Sequence, residues 1–198
     1  MVKASGTQLQ LLKKTVDAIH PLSETEWLAF SEQWKQKEIG KKQVLTAPGF
    51  KECHLYFVVE GVQRIFSLHE SDRESTLLFT YAPSFGGVID SLLLQQPSRF
   101  YYETLSSSVL LTLSYEHLVY LAQVIPAVNE FIRKALTISL SGLLDRMVEL
   151  QSLTAEERFR KLLQRSPHIL QLVPQKYLAN YIGIDATNFS KLMNSVRI

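Results

Sequence analysis

The sequence predicts an α+β protein made of a β-rich domain, a long helix and a small helical domain. Short β-type runs divided by turn residues fill residues 42–113 and indicate a sandwich or a barrel. A helical pattern then runs from residue 126 to about residue 150, and further capped helices follow it. We therefore expect three parts, with boundaries at 1–125, 126–152 and 153–198.

The composition excludes several classes of protein. With 198 residues, of which 46% are hydrophobic and 20% charged, the chain is typical of a globular protein rather than a disordered one. The single Cys53 cannot form an internal disulfide or hold an iron–sulfur cluster, so a reducing cytoplasm is the expected compartment. No secretory signal is visible, and no apolar run approaches the roughly 20 residues of a membrane span. We expect a soluble protein with no membrane partner.

Basic charge is concentrated toward the C-terminal end. The whole chain has a net charge of +2, which is too small to argue for nucleic acid binding. Residues 151–198, however, hold seven basic and three acidic residues, a net charge of +4. If the protein binds an anionic partner, we expect this segment to bind it.

Two capping boxes mark helix starts. Ser23 with Glu26, and Thr154 with Glu157, have the spacing at which two residues cap each other's backbone at a helix N-terminus. The sequence over residues 7–37 reads as helical throughout, and a basic helix is expected to begin after Thr154.

The long helix carries an apolar stripe with the spacing of a coiled coil. Its members alternate four and three positions apart, as in the a/d seam along which two helices pack. They are Leu136, Leu140, Leu143, Met147 and Leu150. We interpret the stripe as the interface of a homodimer, and the alternative is a helix buried in its own core.

Residues 175–192 have the pattern of a helix-turn-helix. Ala179 is the small residue needed where the two helices cross, and Gly183 follows where a tight turn needs positive φ. Pro174 can open the first helix and Asp185 can cap the second. The apolar residues that the small core requires are Leu178, Ile182, Ile184, Phe189 and Leu192.

The second helix of this motif is expected to present small and polar side chains outward. Such side chains suit base edges in a major groove, while basic residues suit phosphates. The predicted DNA-binding residues are Ala186, Thr187, Asn188, Lys191 and Asn194, together with Lys176. Further candidates for phosphate contacts are Arg158, Arg160, Lys161 and Arg197. The alternative is an ordinary corner of two helices without DNA contact.

These features together resemble the Crp/Fnr family of transcription regulators over nearly the whole chain. The resemblance rests on residues 55–61 (an apolar strand ending in Gly), residues 82–86, Ser114-Tyr115 and the helix-turn-helix. It implies a jelly-roll sensor domain of the cyclic-nucleotide-binding type, a helix that forms a homodimer, and binding to double-stranded DNA. It also implies RNA polymerase as a further partner, and an effector that repositions the DNA-binding domains.

The family's cyclic-nucleotide site is matched only in part. The resemblance places a ribose-binding Glu directly after Phe85-Gly86, where this sequence has Gly87. Ser98 stands at the position of the phosphate-binding Arg, and Arg99 follows one place later. In an extended segment a shift of one residue turns a side chain to the opposite face, away from the pocket. The candidate effector-binding residues are Phe85, Gly86, Gly87, Val88, Ile89, Ser98 and Arg99.

Three possibilities follow for the effector, and no cofactor is certain. The backbone N–H groups of residues 86–89 could bind the phosphate of cyclic AMP or cyclic GMP. A different small molecule could bind an aromatic-rich pocket, or the domain could have no effector. The aromatic residues in question are Phe85, Phe100, Tyr101 and Tyr102, for which the alternative is a place in the sandwich core.

Catalytic and metal-binding patterns are missing from the sequence. It contains no nucleophile elbow, Walker A or zinc-protease motif, and its His residues are too sparse for a jelly-roll metal enzyme. We therefore expect neither an enzyme nor a metal site. The alternative function is a dimeric small-molecule or cyclic-nucleotide-binding module that acts through protein contacts without DNA.

Overall fold

The structure is a computed structural model that describes residues 2–71 and 73–195. Its strands are β1 (Val2–Lys3), β2 (Lys35–Ile39), β3 (Val44–Thr46), β4 (His54–Glu60), β5 (Val62–Leu68), β6 (Glu74–Tyr81), β7 (Ser84–Gly86), β8 (Tyr101–Thr104) and β9 (Ser108–Ser114). Its helices are α1 (Gly6–Ile19), α2 (Glu24–Ser31), α3 (Ile89–Leu94), α4 (Tyr115–Val124), α5 (Pro126–Ser152), α6 (Ala155–Arg165), α7 (Ile169–Leu172), α8 (Gln175–Ile182) and α9 (Ala186–Ser195). The predicted α+β class is confirmed.

The strands form two sheets. The first has the order β1-β2-β9-β4-β7, and the second has the order β3-β8-β5-β6. Strand β4 pairs antiparallel with both β7 and β9, and Phe57 lies opposite Leu111 in the second of these pairings. Many neighbours in the sheets are distant in sequence, as expected of a sandwich or barrel.

Strand β4 separates two hydrophobic cores. Tyr56 and Val58 are buried together with residues of the second sheet, such as Tyr102, so they face the interior between the sheets. The alternate residues Leu55 and Phe57 belong to a second cluster, which packs this sheet against helices. The helical members of this helix-side core include Leu12, Val16, Phe30 and Phe131.

Both predicted capping boxes form, whereas the N-terminal helical pattern ends earlier than expected. The Ser23 side chain accepts the N–H of Glu26, and the Thr154 side chain accepts that of Glu157. The prediction of helix over the whole of residues 7–37 is wrong at its end, where β2 lies. This strand pairs with five residues of β9, and such nonlocal pairing overrides local propensity.

Residues 82–86, which support the family resemblance, contain a short strand that the sequence pattern does not indicate. Residues 84–86 form β7, and Phe85 lies opposite Phe57 of β4. A strand of three residues has too short a pattern to be read locally, because its pairing with β4 is what defines it.

The chain forms two compact units. The first comprises Met1–Ile65 and Phe79–Ile138, and the second comprises Phe66–Leu78 and Ser139–Ile198. The boundary therefore lies inside α5, and the distal part of the β5–β6 hairpin belongs to the C-terminal unit. The three-part division expected from the sequence stays a prediction.

Membrane-spanning helices and metal clusters are both absent from the described residues. No helix among them combines the length and the apolar composition that crossing a membrane requires. The same residues contain no group of three or more His, Cys, Asp or Glu side chains that could hold a metal ion.

Candidate functional site

The C-terminal motif folds as a helix-turn-helix. Helix α8 ends at Ile182, Gly183 takes a φ of +74°, and α9 begins at Ala186. The left-handed conformation of Gly183 brings the N–H of Ile184 within 3.0 Å of the Ala179 carbonyl oxygen, so the chain reverses within a few residues. The glycine and the small residue thus stand where the sequence predicts the turn and the crossing.

A small core holds one face of α9. Phe189 is buried against Phe159 of α6, with ring centroids 5.3 Å apart in an edge-to-face arrangement. Asp185 caps α9, because its carboxylate accepts the N–H of Asn188 at 2.7 Å. The buried residues of α8 are Tyr177, Leu178, Ala179 and Ile182.

The opposite face of α9 is exposed. All five residues predicted to read bases are exposed, namely Ala186, Thr187, Asn188, Lys191 and Asn194, and Lys176 of α8 is exposed as well. The side-chain amide of Asn188 donates to Asp185 at 2.7 Å. The Lys176 ammonium lies 4.7 Å from the ring centre of Tyr177. The contact of these residues with DNA stays a prediction.

The further candidates for phosphate contacts take part in interactions within the second unit. Arg158 donates to two backbone carbonyls near the end of α5, at 3.2 and 3.1 Å. Arg160 pairs with Glu156 of the same helix at 2.8 Å. Arg197 lies outside the described residues.

A buried carboxylate, that of Glu149, lies among three cations and was not singled out from the sequence. Its oxygens are 2.9 Å from Arg165, 3.6 Å from Arg146 and 3.8 Å from Lys161. Arg146 also donates to the Tyr181 carbonyl oxygen and lies 4.0 Å over the Tyr181 ring, and burial lowers the pKa of its guanidinium. This cluster joins α5, α6 and α8 within the second unit. Its sequence signal is the i, i+3 spacing of Arg146 and Glu149.

The side chain of Asn180 joins α8 to the β5–β6 hairpin. Its Oδ1 accepts the backbone N–H of Thr76 at 2.5 Å, and its Nδ2 donates to the Glu74 carbonyl oxygen at 2.7 Å. The amide thus pairs with β6 much as a neighbouring strand does. Sequence reasoning missed this contact because the partners are 104 and 106 residues apart.

The apolar stripe of α5 is exposed in the single chain. The predicted interface residues expose between 39% and 57% of their surface, and they are Leu136, Leu140, Leu143, Met147 and Leu150. All ten residues from 136 to 145 are exposed. The alternative of a helix buried in its own core is therefore wrong for this segment.

Three of the four aromatic residues suggested for an effector pocket, Phe85, Phe100 and Tyr102, pack in or against the cores of the β domain. The ring of Phe85 lies in the helix-side core, 5.2 Å from Phe57 and 5.4 Å from Phe131. Tyr102 is fully buried between the sheets, and Phe100 packs against the same cluster. Phe85 is thus a core residue rather than a residue of the predicted pocket.

The turn that the family resemblance assigns to phosphate binding is closely packed. A side chain on Gly86 would collide with the hydroxyl group of Tyr102. Gly87 takes a φ of +111°, and a Cβ there would lie 3.2 Å from the His54 carbonyl oxygen. The ribose-binding Glu of the family would therefore be strained at this position.

The other two residues of the turn lie in different cores. Val88 is buried between the sheets, whereas Ile89 packs against the helix-side core. The N–H of Val88 lies 3.5 Å from a carboxylate oxygen of Glu52, a buried residue that the sequence analysis did not single out. One Glu52 oxygen is bound by the neighbouring backbone at residues 53 and 54, but Thr46 and Val88, at the other oxygen, come from separate segments that no spacing in the sequence relates.

Ser98 and Arg99 differ in burial and in their partners. Ser98 is buried, and its hydroxyl donates to the Phe100 carbonyl oxygen at 2.7 Å and accepts the Phe100 N–H at 2.9 Å. The Arg99 side chain is 77% exposed and pairs with Asp90 at 3.4 Å. Arg99 is therefore exposed as expected, although it lies in a bend before β8 and not in the extended segment from which its orientation was predicted.

Comparison with known proteins supports the fold. No protein-family model matches the sequence, and no curated protein is similar to it. FixK2 from Bradyrhizobium japonicum has a TM-score of 0.74 and 17% identity, over 81% of this chain and 83% of that chain. The c-di-GMP responsive regulator CLP from Xanthomonas campestris has a TM-score of 0.63 and 20% identity, over 87% and 90%. The catabolite activator protein of Thermus thermophilus has a TM-score of 0.57 and 24% identity, over 89% and 84%.

These similar structures are regulators of the Crp/Fnr family, in which a cyclic-nucleotide-binding jelly roll is combined with a helical DNA-binding domain. At identities of 17% to 24% the likeness is one of fold. The chain therefore has the fold of the Crp/Fnr regulators, as its sequence predicts.

Proposed function

We propose that this protein is a homodimeric, DNA-binding transcription regulator of the Crp/Fnr type, with no catalytic activity. The observation that carries the proposal is the exposure of one face of α9. The opposite face of the helix is anchored by the buried Phe189. A recognition helix buried against other parts of the chain would favour a module that acts through protein contacts alone. Exposure of Thr187, Asn188 and Lys191 favours DNA.

Helix α9 has the size and chemistry of a helix that reads a major groove. Its ten residues span about 15 Å, and the groove is about 12 Å wide, enough to admit one helix. The Asn188 amide can pair with an adenine edge, and the Lys191 ammonium can donate to guanine. To do so Asn188 must exchange its hydrogen bond with Asp185 for one with the base.

A second copy of this chain is the proposed partner of α5. The exposed stripe repeats with four-three spacing, so two copies can pack these faces together and remove them from water. A two-fold dimer would also present two copies of α9 to half-sites about 34 Å apart, one turn of DNA. RNA polymerase is a further partner in this proposal, on the strength of the family resemblance alone.

Fluorescence anisotropy tests the DNA-binding part of the proposal. The purified protein is titrated onto labelled DNA from upstream of its own gene at two salt concentrations. We expect specific binding that weakens with salt, because phosphate contacts release counterions. Lys191→Ala should weaken this binding by about 1 to 3 kcal/mol if Lys191 contacts a base.

Lys41→Ala is the matched control, since Lys41 is an exposed lysine between β2 and β3, outside the helix-turn-helix. It should bind the DNA as the wild type does. Equal binding by the Lys191 variant and the control would remove Lys191 from the site. Absence of specific binding by the wild type at both salt concentrations would support the protein-contact alternative instead.

A further inference from the structure

Glu52 is a buried carboxylate held by neutral donors. It exposes 2% of its surface. One carboxylate oxygen accepts the N–H groups of Cys53 and His54, at 3.0 and 3.1 Å. The other accepts the hydroxyl of Thr46 and faces the N–H of Val88 at 3.5 Å. Burying a carboxylate is costly unless hydrogen bonds replace its water, so these donors explain how Glu52 is retained here.

The position of this carboxylate matters because the Val88 N–H belongs to the turn at residues 86–89. The family resemblance assigns the N–H groups of that turn to the phosphate of a cyclic nucleotide. In this chain the Val88 N–H faces an anion that the protein itself supplies. A phosphate at the same place would be repelled by Glu52 and would compete with it for the same donor.

Tyr102 fills the space against the same turn. Its hydroxyl lies so close to the backbone of Gly86 that a methyl group there would collide with it. The hydroxyl is also 3.0 Å from that of Thr80, which donates to Gln63 at 2.9 Å. Burial raises the pKa of Tyr102, so its phenol stays neutral near Glu52. The fully buried Tyr102 therefore leaves no room for an added group beside Gly86.

The buried cation of the second sheet does not compensate for the missing phosphate-binding Arg. Arg64 follows Gln63 on β5. Its side chain therefore points to the opposite face of the strand from Gln63, which is hydrogen-bonded to Thr80. It pairs with Glu103 at 2.6 Å. Arg99 is exposed and pairs with Asp90. Each guanidinium is thus paired with a carboxylate of the protein itself.

We propose that Glu52 is an internal anion that occupies the effector position of the β domain, which therefore binds no cyclic nucleotide. The Glu52 carboxylate takes the place of a phosphate at the turn of residues 86–89, and the Tyr102 hydroxyl closes the space beside Gly86. This inference rests on the β domain alone. It is independent of the proposed DNA binding, and its test involves no DNA.

The first test is a titration of the full-length wild-type protein with cyclic AMP and with cyclic GMP. Isothermal titration calorimetry measures binding, and thermal unfolding in the same solutions measures stabilisation. We expect no saturable heat and no shift of Tm for either nucleotide. Saturable binding accompanied by a rise in Tm would overturn the proposal, whatever the DNA titration shows. This measurement needs no variant and so does not depend on a variant's folding.

The second test removes the charge of Glu52 with little change in shape. In Glu52→Gln, hydrogen exchange followed by mass spectrometry should be about tenfold faster in peptides that cover residues 86–94, because the anion that accepts there is gone. Glu60→Gln is the matched control, since Glu60 is exposed at the end of β4, and its exchange over the same peptides should equal that of the wild type. Unchanged exchange in Glu52→Gln would show that the carboxylate does not hold the turn.

Discussion

Leu140 is the residue at which the proposed packing of two α5 helices can be tested most sharply. It belongs to the apolar stripe and exposes 57% of its surface in the single chain. Complete burial of a Leu side chain contributes about 1.5 to 3 kcal/mol, so covering about half of one contributes about 1 kcal/mol. Since a two-fold dimer contains the residue twice, Leu140→Ala should weaken association by about 2 kcal/mol, or about 30-fold in Kd. Ala favours helix, so α5 itself should stay folded.

Sedimentation equilibrium over a series of protein concentrations measures this Kd. Leu94→Ala provides the control, because Leu94 lies on α3, outside the stripe, and exposes 67% of its surface. The control should dimerise as the wild type does. A wild type that is monomeric at every concentration, or equal weakening by both substitutions, would refute the reasoning.

Two further predictions concern the stability of each unit. Asn180→Ala removes two hydrogen bonds to β6, each worth about 1 kcal/mol, so the free energy of unfolding should fall by about 2 kcal/mol. Urea unfolding checks this value, and hydrogen exchange at the Thr76 amide should become faster, whereas unchanged exchange would contradict the role given to Asn180. Burial lowers the pKa of His54 below its ordinary 6.5, and this effect is larger than that of the Glu52 charge, which raises the pKa. The unfolded chain therefore binds this proton more readily, and the stability present above about pH 6.5 is lost as the pH falls toward the lower, folded-state pKa of His54. Urea titrations above and below this pH should show the loss in the wild type and a smaller one in His54→Gln, and equal losses would contradict the assignment.

The features predicted correctly from the sequence depend on contacts between close neighbours in the chain. Ser23 and Glu26 cap a helix because each reaches the backbone of the other across three residues. Gly183 turns the chain because its own φ is positive. Each of these can be read from a short window, which explains why the helix-turn-helix and its capped neighbours were predictable.

The features missed from the sequence depend on partners that are distant in the chain. Strand β2 has a helical local pattern, and its pairing with β9 decides its structure. One carboxylate oxygen of Glu52 contacts Thr46 and Val88, which lie 6 and 36 residues away from it in sequence. Asn180 reaches a hairpin more than a hundred residues away. No periodicity or spacing relates such residues, so only the folded chain reveals them.

The distal part of the β5–β6 hairpin has a consequence for dissecting this protein. Because Phe66–Leu78 belongs to the unit that contains the helix-turn-helix, the chain passes between its two units at three places. A fragment that begins at Ser139 would leave behind Glu74 and Thr76, the residues that Asn180 binds. An isolated C-terminal fragment therefore lacks contacts that the helix-turn-helix unit makes in the whole chain. A fragment that preserves these contacts would include the hairpin residues Phe66–Leu78, either joined to the fragment or added as a separate peptide.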